Sequence, residues 1–257
     1  MAPSEATRGG AVSLAAVSAD STTVVAALGT VQGQIGDVRT LLLPGGDPPA
    51  PRSNFTAVLS ATQQAVYVLG GNLTKDGGQS AEIWRYGVPV DNWMLLPAPH
   101  GVTLGKVLAA VYRQQDRSLY VLDEPATTGA RCHHQPPSVR MLRISTDSMN
   151  ATELGLWPQT QLGNSVFLTA GSASEIVVLS GSTHPSGFFG VVANVQGNYL
   201  AVSRTFQGSG VPQRGASLTD RGITVPIASS TKGFTNVFIP NTSPYNPHQH
   251  GGIGGCF

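Results

Sequence analysis

The stretch TAVLSATQQAVYVLGG (56–71) consists of an apolar segment, a short polar turn, a second apolar segment and a pair of glycines. Segments of this length and composition predict two antiparallel strands joined as a hairpin. Four further stretches repeat the phrase, the last of them more weakly: AAVSADSTTVVAALGT (15–30), LAAVYRQQDRSLYVLDE (108–124), FLTAGSASEIVVLSGS (167–182) and TVPIASSTKGFTNVFIPN (224–241). The sequence is therefore built from an internal repeat.

The period of the repeat indicates the architecture. The residues that close the five phrases are Gly29, Gly70, Asp123, Gly181 and Pro240, which lie 41, 53, 58 and 59 residues apart. Each of the first four phrases is followed by a second apolar set: GDVRTLLLPGGDPPAP (36–51), AEIWRYGVPVDNWMLLPAP (81–99), SVRMLRISTDSMNATELGLWP (138–158) and GVVANVQGNYLAVSRTF (190–206). About four strands per unit of about 50 residues is typical of a propeller blade. We expect an all-β fold with very little helix.

Continuous apolar runs mark the second strand of each hairpin, as in YVL (67–69, 120–122) and IVVL (176–179). A strand with one solvent-exposed face would alternate apolar and polar residues instead. We therefore expect these strands to be buried on both faces, between neighbouring sheets.

The second unit, clearest over residues 55–99, resembles the kelch family. Gly70 and Gly71 follow the strand AVYVL, and Trp84, Tyr86 and Trp93 come after a loop. The kelch pattern is a strand that ends in Gly-Gly, a later Tyr, and a Trp about seven residues beyond that Tyr. The resemblance implies a sharp turn at the glycines and a Tyr and a Trp packed between adjacent blades.

The other units depart from this pattern. In the third, Asp123 and Glu124 stand in place of the glycines, and we expect them to form that turn; Ile144 stands where the Tyr would fall and Ala151 where the Trp would fall. The sequence thus predicts a divergent kelch-like β-propeller of about five four-stranded blades over residues 1–240, with an irregular Gly- and Pro-rich tail at 241–257. A complete ring, a ring closed with help from elsewhere and a piece of a larger protein all remain open.

Composition narrows the function classes. Charged residues make up 11% of the 257 residues and the formal net charge is +1, without a basic cluster, which argues against a nucleic acid partner. No apolar run approaches the roughly 18 residues of a membrane-spanning helix. Four Asn-x-Ser/Thr sequons (Asn54, Asn72, Asn150, Asn241) slightly favour an extracellular or cell-surface location, although the compartment stays open.

Histidine and cysteine cluster in two places. Arg131, His133 and His134 share a loop with Cys132, and we expect them to make polar contacts with a partner. His248, His250 and Cys256 in the tail are the candidate metal ligands, because imidazole and thiolate suit a tetrahedral site. Their spacing matches no zinc motif, so no cofactor is predicted. A Cys132–Cys256 disulfide is the alternative.

No catalytic motif accompanies these residues: GQSAE (78–82) lacks the second glycine of a nucleophile elbow, and GGNLTKDGG (70–78) lacks phosphate-loop spacing. We expect a non-enzymatic binding or structural module whose loops contact a protein or glycan partner, within a larger secreted or surface assembly. The alternative is a metal-dependent oxidase or carbohydrate-active enzyme on the same scaffold.

Overall fold

The computed structural model describes residues 12–17, 23–29, 38–42, 47–75, 77–125, 138–158, 166–170, 175–181, 187–212, 217–218, 221–229 and 233–240. All regular structure in these ranges is β-strand, as predicted. None of it is a helix with the length and apolar character needed to cross a membrane. The chain divides into unit 1 (Met1–Ala98) and unit 2 (Pro99–Phe257).

The described residues of unit 1 form nine strands in three sheets. A three-stranded sheet has the order β1-β2-β3, a short ladder joins β4 to β7, and a four-stranded sheet has the order β5-β6-β8-β9. The strands are β1 (Val12–Val17), β2 (Thr23–Gly29), β3 (Val38–Leu42), β4 (Arg52–Ser53), β5 (Thr56–Ser60), β6 (Ala65–Leu69), β7 (Asn72–Leu73), β8 (Ile83–Gly87) and β9 (Asn92–Leu95).

In unit 2, the part of the chain that the structure describes forms three sheets in chain order, each of four strands. The first two are simple antiparallel meanders, β10-β11-β12-β13 and β14-β15-β16-β17, and the third is centred on β20. The strands are β10 (Lys106–Arg113), β11 (Ser118–Glu124), β12 (Ser138–Ser145), β13 (Ala151–Pro158), β14 (Val166–Ala170), β15 (Glu175–Gly181), β16 (Gly187–Gln196), β17 (Tyr199–Ser209), β18 (Val211–Pro212), β19 (Ser217–Leu218), β20 (Gly222–Ser229) and β21 (Gly233–Pro240).

All five predicted hairpins are present, as the pairs β1–β2, β5–β6, β10–β11, β14–β15 and β20–β21. The predicted count of about five four-stranded blades is not confirmed. The described strands form four sheets of four strands, and the first sheet has three. Among the described residues of its second apolar set, 36–51, only β3 belongs to that sheet.

Consecutive sheets of unit 2 pack face to face, which is a propeller-like arrangement. One apolar cluster combines Leu122 and Met141 of the first sheet with Val178 of the second. Another combines Leu179 of the second sheet with Val225 of the third. The continuous apolar runs of β11 and β15 lie at these contacts and are buried over almost their whole length. Burial is thus confirmed for the second strands β6, β11 and β15, whereas β21, the second strand of the fifth hairpin, is exposed or half-buried at residues 235–240.

Tight turns at one end of the sheets have a common backbone conformation. In three hairpins the residue directly before the second strand has a positive φ angle: 46° at Gln64, 48° at Asp91 and 51° at Arg117. Residues other than glycine reach this left-handed region only at a cost of about 1–2 kcal/mol. The free energy gained by closing the hairpin in register is larger than this conformational cost.

The third sheet of unit 2 differs from the other two because two short strands, β18 and β19, pair with the same side of β20. β18 pairs with Ile227 and Ala228 of β20, and β19 pairs with Ile223 and Thr224. Pro226 lies between these two ladders and has no N–H to donate. β21 pairs along the opposite edge of β20, so the described strands of this sheet lie three across.

Candidate functional site

The loop end of each sheet is defined here as the end opposite the tight turns, from which the longer connections leave. In unit 1 it lies at Gly70 and Gly71, which have φ angles of 64° and 95°. The Gly70 N–H donates to the Glu82 carbonyl (3.1 Å), and the Gly71 carbonyl accepts from the Ser80 N–H (2.8 Å). A Cβ atom on Gly71 would lie 2.8 Å from the Ser53 carbonyl oxygen. The sharp turn predicted from the glycine pair is therefore present, and side chains are excluded there by both conformation and space.

Arg52 organises this loop end, and sequence reasoning did not identify it. Its side chain is only 2% exposed. Its Nη1 donates to the Gly70 carbonyl (3.1 Å) and to Ser80 Oγ (3.1 Å), and its Nη2 donates to Glu82 Oε2 (2.8 Å). Planar guanidinium groups suit such fixed multiple contacts. Arg52 thus ties the segment before β5 to the 70–82 connection.

Glu82 is the acceptor at the centre of the same network. Its Oε2 accepts from Trp84 Nε1 (2.9 Å), from Arg52 and from Ser80 Oγ (3.2 Å). These hydrogen bonds, that of Trp84 first, lower the pKa of Glu82. A carboxylate held ionised and paired in this way is a poor general acid at neutral pH. The arrangement indicates a structural role for Glu82.

Tyr86 and Trp93 form a directly opposed cross-strand pair of β8 and β9. Both are buried, and their ring centroids lie 5.1 Å apart at an interplanar angle of 45°. They share an apolar cluster with Val66 and Val68 of β6. The Tyr86 hydroxyl donates to Asp91 Oδ1 (2.5 Å). Burial, followed by this bond to a carboxylate, raises the pKa of Tyr86, so its phenol stays neutral.

The corresponding pair in the next sheet is Ile144 and Ala151, which also lie directly opposite each other on β12 and β13. The sequence alignment of the two units is therefore confirmed at this position. Ile144 is fully buried like Tyr86. The repeat thus preserves an apolar cross-strand contact while the residue types change.

Asp123 and Glu124 belong to β11, so the expectation that they form a turn is wrong. Asp123 is completely buried. Its carboxylate accepts from Arg140 Nε (2.8 Å) and Nη2 (3.0 Å) and from the Gly105 N–H (2.7 Å). Its strand partner is Arg140, which explains why an acid can continue the strand here.

Arg140 completes this ion pair at the loop end of the first sheet of unit 2. Its Nη2 also donates to the Thr103 carbonyl (2.5 Å), and its Nη1 lies 3.9 Å from Glu153 Oε2. The hydrogen bond with Asp123 raises the pKa of Arg140. Bidentate Arg–carboxylate pairs combine charge with fixed geometry. The pair holds together the two strands from which the 125–137 connection leaves.

The turn end of the same hairpin has a second polar cluster. The Tyr120 hydroxyl donates to Asp116 Oδ2 (2.5 Å) and accepts from Arg113 Nη1 (3.0 Å). Burial, then the bond to Asp116, raises the pKa of Tyr120 to about 12. In unit 1 the hydroxyl of Tyr67 donates to the turn residue Gln63 in the same manner. A neutral phenol bound to its own turn stabilises the hairpin and is not an activated nucleophile.

A contact between sheets of unit 2 comes from Arg143 of β12. Its Nη1 donates to the Gly197 carbonyl (3.0 Å) and its Nη2 to Asn198 Oδ1 (3.1 Å), both in the β16–β17 turn. These hydrogen bonds join the turn of one sheet to the middle of its neighbour.

The predicted contact residues Arg131, His133 and His134 lie outside the described residues, as do the predicted metal ligands His248, His250 and Cys256 and the thiol of Cys132. Within the described ranges, no three His, Cys, Asp or Glu side chains are grouped so that they could hold a metal ion. The polar networks that the structure does show are Arg–carboxylate and Tyr–turn contacts.

No protein-family model matches the sequence, and no curated protein does. Two solved structures are similar at low identity. One, titled "Crystal Structure of Mitotic Checkpoint Complex", has 10% identity and a TM-score of 0.41, with 88% of this chain and 76% of that chain covered. The other, a protein from Lactobacillus plantarum, has 13% identity and a TM-score of 0.40, with 86% of this chain and 64% of that chain covered. Neither likeness is strong enough to support an argument about function.

Proposed function

We propose that the chain is a non-enzymatic kelch-like module that binds a protein or glycan partner through the loops at the loop ends of its sheets, within a larger secreted or surface assembly. The observation that carries the proposal is the buried Asp123–Arg140 pair at the base of the 125–137 connection. An ion pair that is costly to bury stabilises little by itself but fixes geometry. Here it fixes the strand ends that present the loop.

The second support is that unit 1 repeats the arrangement with different residues. Arg52 and Glu82 hold the base of the 70–82 connection, as Asp123 and Arg140 hold the base of 125–137. Loops on a rigid frame are where binding residues concentrate, and a fixed base lowers the entropy lost on binding. Arg131, His133 and His134 are the proposed contact residues.

The proposal is tested with the full chain immobilised, first on a glycan array and then against a source-cell extract with cross-linking and mass spectrometry. The test variant combines Arg131→Ala, His133→Ala and His134→Ala. Its matched control combines Gln114→Ala and Gln115→Ala, in the turn at the opposite end of β11. We expect the triple variant to lose about tenfold or more in affinity for the captured glycan or protein, because binding energy concentrates in few residues. The control should bind like the unaltered chain.

Equal binding by the triple variant and the unaltered chain would exclude this loop as the contact surface. Metal analysis addresses the alternative function. Stoichiometric copper or zinc in the purified chain, lost on His248→Ala with His250→Ala, would contradict the non-enzymatic proposal and favour a metal-dependent oxidase. Cleavage of an arrayed glycan would favour a carbohydrate-active enzyme.

A further inference from the structure

The outer edge of β21 is an open strand edge: within the described residues β21 pairs only with β20. This strand, GFTNVFIP, is eight residues long and contains no charged residue. Natural edge strands are usually short or carry charge, which prevents pairing with other chains. β21 is neither short nor charged, and its one proline, Pro240, removes a donor only at the last position of the strand.

The strands that close the other sheets are protected. β3 contains Arg39, β13 contains Glu153 and β17 contains Arg204. β9 has no charge but is only four residues long. β21 is thus the one closing strand in the described part of the chain that is both long and uncharged.

The backbone groups that face outward from β21 follow from a proline. Asn236 lies opposite Pro226 of β20. Because Pro226 has no N–H, this cannot be a hydrogen-bonded pair, so the N–H and C=O of Asn236 point away from β20. Alternation gives residues 234 and 238 the same direction. The free edge therefore presents donors and acceptors at alternate positions centred on Asn236.

The side chains along β21 are also consistent with an open strand edge. Val237 and Ile239 pack against the apolar cluster of the third sheet, whereas Phe238 is 54% exposed. A Cβ atom on Gly222 would lie 2.7 Å from Cζ of Phe238, so the ring covers this glycine of β20. The phenyl ring is therefore exposed to solvent but packs against Gly222 of β20.

We propose that β21 is a homodimer interface, in which the β21 strands of two copies of this chain pair antiparallel about a two-fold axis at Asn236. In this register each outward-facing residue meets another outward-facing residue, Asn236 meets Asn236 of the second copy, and Phe238 meets residue 234. Each of these outward-facing pairs exchanges backbone hydrogen bonds, and no charge opposes a like charge because the strand has none. A second copy fits the edge because the edge is complementary to itself.

The test exploits the two-fold position. Asn236 is exposed, so charge is tolerated there in the folded chain. Asn236→Lys and Asn236→Asp each place like charges directly opposite in a homodimer, which is destabilising. In an equimolar mixture of the two variants the charges are opposite and attract. The matched control is Val202→Lys, an exposed apolar-to-lysine change on the closing strand β17.

Sedimentation velocity of the full chain over a concentration series gives the dimer dissociation constant. We expect a dimer for the unaltered chain and for Val202→Lys, a dissociation constant raised about tenfold or more in each Asn236 variant alone, and recovery in the mixture. Far-ultraviolet circular dichroism checks that each variant is folded. Amide hydrogen exchange at residues 236 and 238 should slow as concentration rises.

Three results would overturn the proposal. The first is a monomeric unaltered chain at about 100 µM, since specific dimers form well below that concentration. The second is dimerisation that both Asn236 variants retain alone, because association then uses another surface. The third is protection of the amides of residues 236 and 238 in the monomer at every concentration, because the edge is then covered by the chain itself.

Discussion

Removing the carboxylate of Asp123 should destabilise unit 2 by about 3–5 kcal/mol, because Arg140, whose side chain is only 13% exposed, would then be a largely desolvated cation without its main partner. Asp123 is fully buried, and Arg140 binds it through two hydrogen bonds of 2.8 and 3.0 Å. Asp123→Ala also leaves the Gly105 N–H without its acceptor, at a cost of about 1–3 kcal/mol. Glu153, 3.9 Å from Arg140, partly compensates for the lost charge. We therefore expect a value near the lower end of the range.

The control is the neighbouring residue on the opposite face of β11. Glu124 pairs with Lys106 at 3.9 Å, and the side chains are 24% and 57% exposed. Glu124→Gln should cost no more than about 1 kcal/mol, as surface ion pairs do. Comparing adjacent acids of one strand separates burial from charge.

Hydrogen–deuterium exchange of the amides in β11 and β12 measures the free energy of opening in this sheet alone, which suits a chain with two compact units. Asp123→Leu combined with Arg140→Met should recover most of the loss, because an apolar pair can replace a buried ion pair. If Asp123→Ala lowers the free energy of opening by less than about 1 kcal/mol, or if the double variant shows no recovery, the Asp123–Arg140 pair does not stabilise this loop end.

Three further predictions concern local packing, backbone strain and charge. Gly190→Ala places a Cβ atom 2.1 Å from Cζ of Phe206, so urea denaturation should show a loss of about 1–3 kcal/mol that Phe206→Leu relieves; an unchanged midpoint would contradict the reported packing. Gln64→Gly should raise the free energy of unfolding by up to about 1 kcal/mol by removing strain at a φ of 46°, whereas Ala61→Gly in the same turn should lower it, and equal effects would refute the strain argument. The pKa of Glu82 is lowered on folding, so its contribution to stability is complete above its ordinary value of 4.5 and is lost as pH falls through the lower folded value. Glu82→Gln should flatten this acid limb in a pH series of denaturation midpoints, and an unaltered limb would show that other carboxylates cause it.

The repeat shows how far local sequence determines the fold. The five hairpins could be predicted because each is encoded within about 16 contiguous residues, where apolar runs and turn residues act directly on the backbone. The positive φ angles at Gly70 and Gly71 were predictable for the same reason, whereas the sequence placed Tyr86 and Trp93 only between adjacent blades and did not predict that they pair with each other across strands. The pairing of Ile144 with Ala151 follows from the same alignment.

The number of complete blades could not be predicted from the same pattern. A strand joins a sheet only where its neighbours offer free backbone groups, and one side of β20 is paired by two separate short strands, β18 and β19. Whether a short apolar segment forms one long strand or two short ones depends on the strand opposite, which its own residues do not encode.

By itself, the sequence determined that this protein is all-β, that it repeats, and where its hairpins turn, since these properties depend on residues close together in the chain. Only the tertiary structure decided which charges are paired. Asp123 meets Arg140 from 17 residues away, and Arg52 meets Glu82 from 30 residues away, through the register of strands joined by long connections. Register depends on the sum of contacts across a whole sheet. A short sequence motif does not encode these contacts. The ion pairs at the loop ends can therefore be identified only in the folded chain.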